Sequence, residues 1–215
     1  MISVSIKNLS FKYTKSDWWN IEDFSMDYEE GSITAIVGGN GSGKTTLLRC
    51  ICGISPRIYK GEIKGEVRIY GRDISTLKIE EVIQDIGIVF QNPETQIFLS
   101  TVEDELVFGP ENLCIPRDEI EVRLNETLDL IGLNHLRYKN PVDLSGGEQQ
   151  LVTLGSVLMM NPRVLLLDEI MSWVDSTRQI EIREILKVLK NNGKTIIMVD
   201  HQFENIELAD KVIRM

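Results

Sequence analysis

Residues 32–45 read Ser32-Ile33-Thr34-Ala35-Ile36-Val37-Gly38-Gly39-Asn40-Gly41-Ser42-Gly43-Lys44-Thr45. A short apolar, β-rich run feeds straight into glycines. Such a run suits a central strand buried on both faces. The spacing Gly38-x-x-x-x-Gly43-Lys44-Thr45 then opens a helix, predicted from Lys44 to Cys52 and stopped near Gly53. Glycines let backbone N–H groups wrap a phosphate, and the helix N-terminus adds a positive dipole end. In this setting Lys44 reaches the β- and γ-phosphates, and the Thr45 hydroxyl ligates Mg²⁺. The predicted nucleotide-binding loop is therefore Gly38, Gly39, Asn40, Gly41, Ser42, Gly43, Lys44, Thr45 and Thr46.

Working outward, Val164-Leu165-Leu166-Leu167 reads as a second buried strand ending in Asp168-Glu169. Beside a phosphate loop, Asp168 reads as reaching the magnesium shell, often through water. Glu169 reads as polarising the attacking water. Further strands are predicted at Val4–Tyr13, near Ile21–Tyr28, at the surface over Glu66–Gly71, at Ile86–Phe90, at Thr195–Val199 and at Lys211–Arg214. Helices are predicted over Leu77–Gln84, through most of 95–140, from Pro116 to Ile131, from the glycines at 146–147 to about Met160, and at Thr177–Leu189. Thr101-Val102-Glu103-Asp104 is a capping pattern. The last helix reads as amphipathic through Ile180, Ile182, Ile185, Leu186 and Leu189. Strands alternating with helices imply an α/β fold with a mainly parallel sheet. Residues 1–215 are expected to form one domain, with a helical subdomain at about 95–160 and an antiparallel β subdomain towards the N-terminus.

The 215 residues suffice for a sizeable core. The net charge of −10 repels a phosphate backbone, so nucleic acid is not an expected partner. Three cysteines, Cys50, Cys52 and Cys114, form no framework and suit reduced thiols. The N-terminus alternates like a strand and lacks the basic region of a secretory signal. No apolar run approaches a membrane span, so a membrane role has to come through a partner.

Leu144-Ser145-Gly146-Gly147-Glu148-Gln149-Gln150 carries the second decisive motif. A serine and two glycines at the mouth of a helix form a phosphate clamp. With the upstream loop already holding phosphates, that clamp has no evident use inside its own subunit. It makes sense closing on a nucleotide held by another copy.

Together these residues resemble the ATP-binding-cassette ATPases of ABC transporters, over nearly the whole chain. The resemblance implies ATP hydrolysis with Mg²⁺, and two subunits sandwiching ATP head to tail. Leu144, Ser145, Gly146, Gly147 and Glu148 match the signature that contacts ATP across the dimer. Tyr13 resembles the aromatic that stacks on adenine. Gln91 resembles the glutamine that senses Mg²⁺ and faces the membrane partner. Asp175 resembles the aspartate coupling the two sites, and His201 the switch histidine on the γ-phosphate. The stretches Phe90–Phe98 and Thr101–Leu113 resemble the energy-coupling factor branch, which takes up vitamins and transition-metal ions. That implies a second ATPase subunit, identical or different, beneath a transmembrane coupling protein and a substrate-binding membrane protein. The expected location is the cytoplasmic face of the membrane. Tyr59–Val67 resembles versions found as halves of tandem ATPases. The chain departs from the family at Leu151, Ile170 and Trp173, all expected at the dimer seam and pointing to a weaker half-site. A low-turnover regulatory subunit and a soluble non-transport cassette ATPase stay open as alternatives.

Overall fold

The computed structural model describes residues 1–172, 174–200 and 207–215. Two sheets organise them. The first is antiparallel, in the order β2-β1-β4-β5, from β1 (Ile2–Tyr13), β2 (Ile21–Glu29), β4 (Gly61–Ile69) and β5 (Arg72–Asp73). The second has the order β6-β7-β8-β3-β9, from β3 (Ile33–Val37), β6 (Ile86–Val89), β7 (Val164–Asp168), β8 (Thr195–Asp200) and β9 (Lys211–Arg214). Its pairings are all parallel. The helices are α1 (Lys44–Ile51), α2 (Ile54–Arg57), α3 (Ile79–Asp85), α4 (Val102–Asn112), α5 (Arg117–Ile131), α6 (Gly146–Leu158) and α7 (Ser176–Asn191).

β3, β7 and β8 are buried at every position, as their apolar runs require when both faces are covered. The pleat divides the core in two. Leu165 and Leu167 join α4–α7 through Leu106, Leu124, Leu128, Leu154 and Leu186. Val164 and Leu166 face the other way, into Leu47 and Ile51 of α1 and Val4, Ile6 and Ile69 of the antiparallel sheet. α4, α5 and α6 enter the chain between β6 and β7.

Two expectations are corrected. The surface strand predicted over Glu66–Gly71 begins at Gly61, pairs with β1 and buries Val67 and Ile69. Ile180 does not lie on the buried face of α7. It is exposed, while Ile182, Ile185, Leu186 and Leu189 are buried. Residues two apart on a helix do not share a face, so Ile180 and Ile182 could not both point inward.

Candidate nucleotide site

Parallel strands end at one edge, and loops beyond that edge converge. Val37 stands beside Asp200 in the β3–β8 register, and Asp168 beside Val199 in β7–β8. The phosphate loop, Gln91, Asp168 and Glu169 therefore meet although they lie far apart in sequence. A cleft of about 550 Å³ opens there, lined by Asn20, Asn40, Gly41, Gly43, Lys44, Thr45, Thr46, Gln91, Glu169 and Ser172, with Asp168 buried behind Thr45.

The loop has little freedom. Gly43 has φ 98°, and a Cβ there would stand 2.3 Å from the Asn20 carbonyl oxygen. No side chain fits that contact or tolerates that backbone at low cost. Lys44 is 4% exposed, and its Nζ donates to the Gly38 and Gly39 carbonyls, each at 2.9 Å. Thr45 Oγ1 donates to Asp168 Oδ1 at 3.0 Å. Gln91 Nε2 donates to Glu169 Oε2 at 2.8 Å. Glu169 is buried and sits at φ 53°, a left-handed backbone that glutamate rarely adopts. Its N–H donates to the Val199 carbonyl at 3.0 Å. Burial holds the Asp168 carboxyl above the usual aspartate range, with the neighbouring Glu169 charge adding to the rise and the Thr45 hydroxyl opposing it.

Tyr13 is half-buried and its hydroxyl is engaged. It lies 3.0 Å from Thr46 Oγ1 and accepts from Arg49 Nη1 at 3.2 Å, while its ring meets Phe11 edge-on. The Tyr13 N–H donates to Asn20 Oδ1 at 3.4 Å. Asn20 therefore joins the tyrosine strand to the phosphate loop. Sequence reading missed it because no motif marks a lone asparagine before a strand. Ser172 was missed for the same reason.

The signature residues lie elsewhere. Among the described residues, none of Leu144–Glu148 lines the cleft. Gly146 and Gln149 instead border a second cavity of about 440 Å³ with Gln91, Asn92, Pro93 and Glu94. Leu144 packs on the core. Within its own subunit Ser145 has a structural use besides. It is the N-cap of α6, in a reciprocal capping box with Glu148. Asp175 likewise caps α7, accepting from the N–H groups of Thr177 and Arg178. Leu151 is fully buried and Ile170 is 3% exposed, so these two departures lie in the core and not on a seam surface. His201 and Trp173 lie outside the described residues.

Comparison with known proteins identifies the family and the fold. Residues 21–172 match the ABC transporter family. The chain is 39% identical, over 98% of its length, to a putative ABC transporter ATP-binding protein of Saccharolobus solfataricus, and spans 40% of that protein. It is 38% identical to the energy-coupling factor transporter ATP-binding protein EcfA of Methanosarcina acetivorans, over 99% of the chain and 76% of EcfA. Among solved structures it superposes on cbiO1 of Clostridium perfringens, part of the ABC transporter complex cbiONQ. The TM-score is 0.88 and the identity 32%, over the whole chain and 84% of cbiO1. A dimeric cassette in a post-hydrolysis state, bound to ADP and phosphate, matches with TM-score 0.83 and 27% identity over 99% of the chain and 94% of that cassette. The chain belongs to the ABC transporter ATP-binding family. Its fold is the ABC ATPase fold, a parallel α/β sheet beside an antiparallel one. It spans only about two fifths of the first curated relatives it matches.

Proposed function

We propose that this chain binds and hydrolyses Mg-ATP as one of two paired cassettes, and that the cycle powers an importer of the energy-coupling factor type. The observation that carries the reading is the pair of hydrogen bonds Thr45–Asp168 and Gln91–Glu169 across one cleft. They join three separate stretches of sequence, the phosphate loop, Gln91 and the Asp168-Glu169 pair, around the place where a γ-phosphate would lie. The hard oxygen donors of Thr45 and Asp168, with Gln91 nearby, suit Mg²⁺, which takes few protein ligands and keeps its waters. When bound, Mg²⁺ supplies positive charge against the β- and γ-phosphates.

The protein's own groups do the rest. Lys44 leaves the loop carbonyls for the phosphates, and the N–H groups of residues 38–46 wrap them. Glu169 orients or deprotonates the water, held in place by Gln91. His201 contacts the γ-phosphate, and Tyr13 supports the adenine. Ser145 and its glycines serve the ATP of the partner cassette, which fits their absence from the lining of this chain's own cleft. Asp175 couples the two sites. The pairing opens after hydrolysis, a ligand-controlled two-state equilibrium. The motion passes through the groove beside Gln91 to a transmembrane coupling protein, with a separate membrane protein binding the substrate. Among the described residues no helix is long and apolar enough to cross a membrane; a peripheral place on the cytoplasmic face follows from the proposed partnership with the membrane coupling protein. The likenesses to EcfA and cbiO1 favour the energy-coupling factor branch.

Glu169→Gln tests the chemistry. ATP binding is retained, and turnover falls by roughly 10²–10⁴-fold. Parent-like turnover in that variant removes Glu169 from the role. Co-purification of a membrane coupling protein with the tagged chain from solubilised membranes tests the transport assignment.

A further inference from the structure

Glu148 is held from two directions. Its Oε2 accepts the Ser145 backbone N–H at 2.9 Å and the Ser145 hydroxyl at 2.7 Å. Its Oε1 accepts Arg178 Nη2 at 3.1 Å. Arg178 reaches across from the first turn of α7 and is itself fixed. Its Nη1 donates to Glu181 at 2.7 Å, and its backbone N–H to Asp175 Oδ1 at 3.2 Å. Its stem lies against Gly147, where a Cβ would stand 2.9 Å from the Arg178 Cγ. One guanidinium thus ties the start of the signature helix to the start of α7.

This geometry creates a conflict. A serine hydroxyl has one proton to donate, and here it goes to Glu148. To donate to a phosphate, Ser145 has to leave a carboxylate. That carboxylate also repels an approaching phosphate, and like charges set face to face are costly. Arg178 is the cation placed to offset it.

Resting on the paired-cassette reading above, we infer that Arg178 is a positioning residue for the contact between Ser145 and the γ-phosphate held by a second copy of this chain. It draws the Glu148 charge onto itself, so that the serine hydroxyl can turn outward without a bare carboxylate beside the phosphate. Glu148 acts against closure, and Arg178 relieves it.

The test is nucleotide-driven association, followed by sedimentation velocity at saturating Mg-ATP. The parent is the hydrolysis-slowed Glu169→Gln chain. It is compared with the same chain carrying Arg178→Gln, Glu148→Gln, or both. Circular dichroism and Mg-ATP binding at the phosphate loop report folding. Arg178→Gln weakens association by about tenfold. Glu148→Gln together with Arg178→Gln restores it to at least the parent level, because no uncompensated charge remains. Added salt narrows the gap between Arg178→Gln and parent. Parent-like association of Arg178→Gln overturns the inference. So does a double variant as weak as Arg178→Gln, which assigns Arg178 to packing alone. Should Arg178→Gln fold poorly, Arg178→Met takes its place, keeping the stem over Gly147 without the charge. A parent chain that stays monomeric at saturating Mg-ATP overturns pairing between two copies of this chain, and the inference with it, a failure distinct from both others.

Discussion

Asp168 is asked to be charged in a place that resists charge. Its carboxyl sits above the usual aspartate range, chiefly through burial. The folded chain therefore holds that proton more tightly than the unfolded chain. The contribution favours folding at low pH and is lost as pH rises through the raised value. On the proposed reading, in which Asp168 serves Mg²⁺ as a carboxylate, ionising it is a stability cost retained for binding. Asp168→Asn is accordingly expected to raise the melting temperature of the nucleotide-free protein at neutral pH and to remove the Mg²⁺ dependence of ATP binding. Thermal shift assays with and without Mg²⁺ measure both, and a lower melting temperature in the nucleotide-free variant contradicts the burial argument. In the parent, Mg-ATP affinity falls as pH drops through the Asp168 ionisation, because a protonated carboxyl no longer attracts the cation. The cysteines give a second check at this scale. Burial pushes Cys50 and Cys52 each up to about 12, whereas Cys114 is exposed. The thiolate is the reactive form. A colorimetric thiol titration at neutral pH should count a single fast thiol in the native protein and three after denaturation. Loss of the fast thiol in Cys114→Ser identifies it.

The pairing of β1 with β4 shows what an element demands of one residue. Pairing slips between Lys7 and Ser10, and opposite the slip Gly65 takes φ 81°. A Cβ at Gly65 would stand 2.4 Å from the carbonyl oxygens of both Asn8 and Lys7. Gly65→Ala should cost about 1–3 kcal/mol, since the backbone on both sides has to move. Chemical denaturation measures it, and a change within about 0.5 kcal/mol places the slip under other control. This slip also marks where sequence reading stops. Buried parallel strands were legible because apolar runs announce them. So was the start of α4, because Thr101 is a capping residue followed three positions later by Asp104, while the start of α6 was marked by Gly146 and Gly147. The start of β4 was not, because Gly61–Glu66 is largely polar and is held by backbone pairing to β1. Ser145 was read for phosphate alone, although the same four residues spell a capping box. Arg178 escaped notice because its partner Glu148 stands thirty residues away, and no local spacing encodes that contact. Leu151 and Ile170 looked like seam residues by motif position, yet apolar side chains at those positions pack inward.

At the scale of the whole molecule, the strand order β6-β7-β8-β3-β9 brings separate pieces of chain to one edge. The phosphate loop follows β3, the carboxylates end β7, and β8 lies between them. A ligand clasped at that edge touches segments anchored in both halves of the core, since β7 sends alternate residues into each. Nucleotide should therefore stabilise the fold as a unit. Binding to the native state alone adds about 2.7 kcal/mol at one hundred times the dissociation constant. Mg-ATP is expected to shift a single cooperative melting transition upward. Lys44→Ala should abolish that shift, because the ammonium that now bridges the Gly38 and Gly39 carbonyls is the cation available to the phosphates within the loop. Differential scanning calorimetry distinguishes the outcomes. A full shift retained in Lys44→Ala places the nucleotide somewhere other than this loop. A shift confined to part of a split transition separates the two halves of the core that the β7 pleat joins.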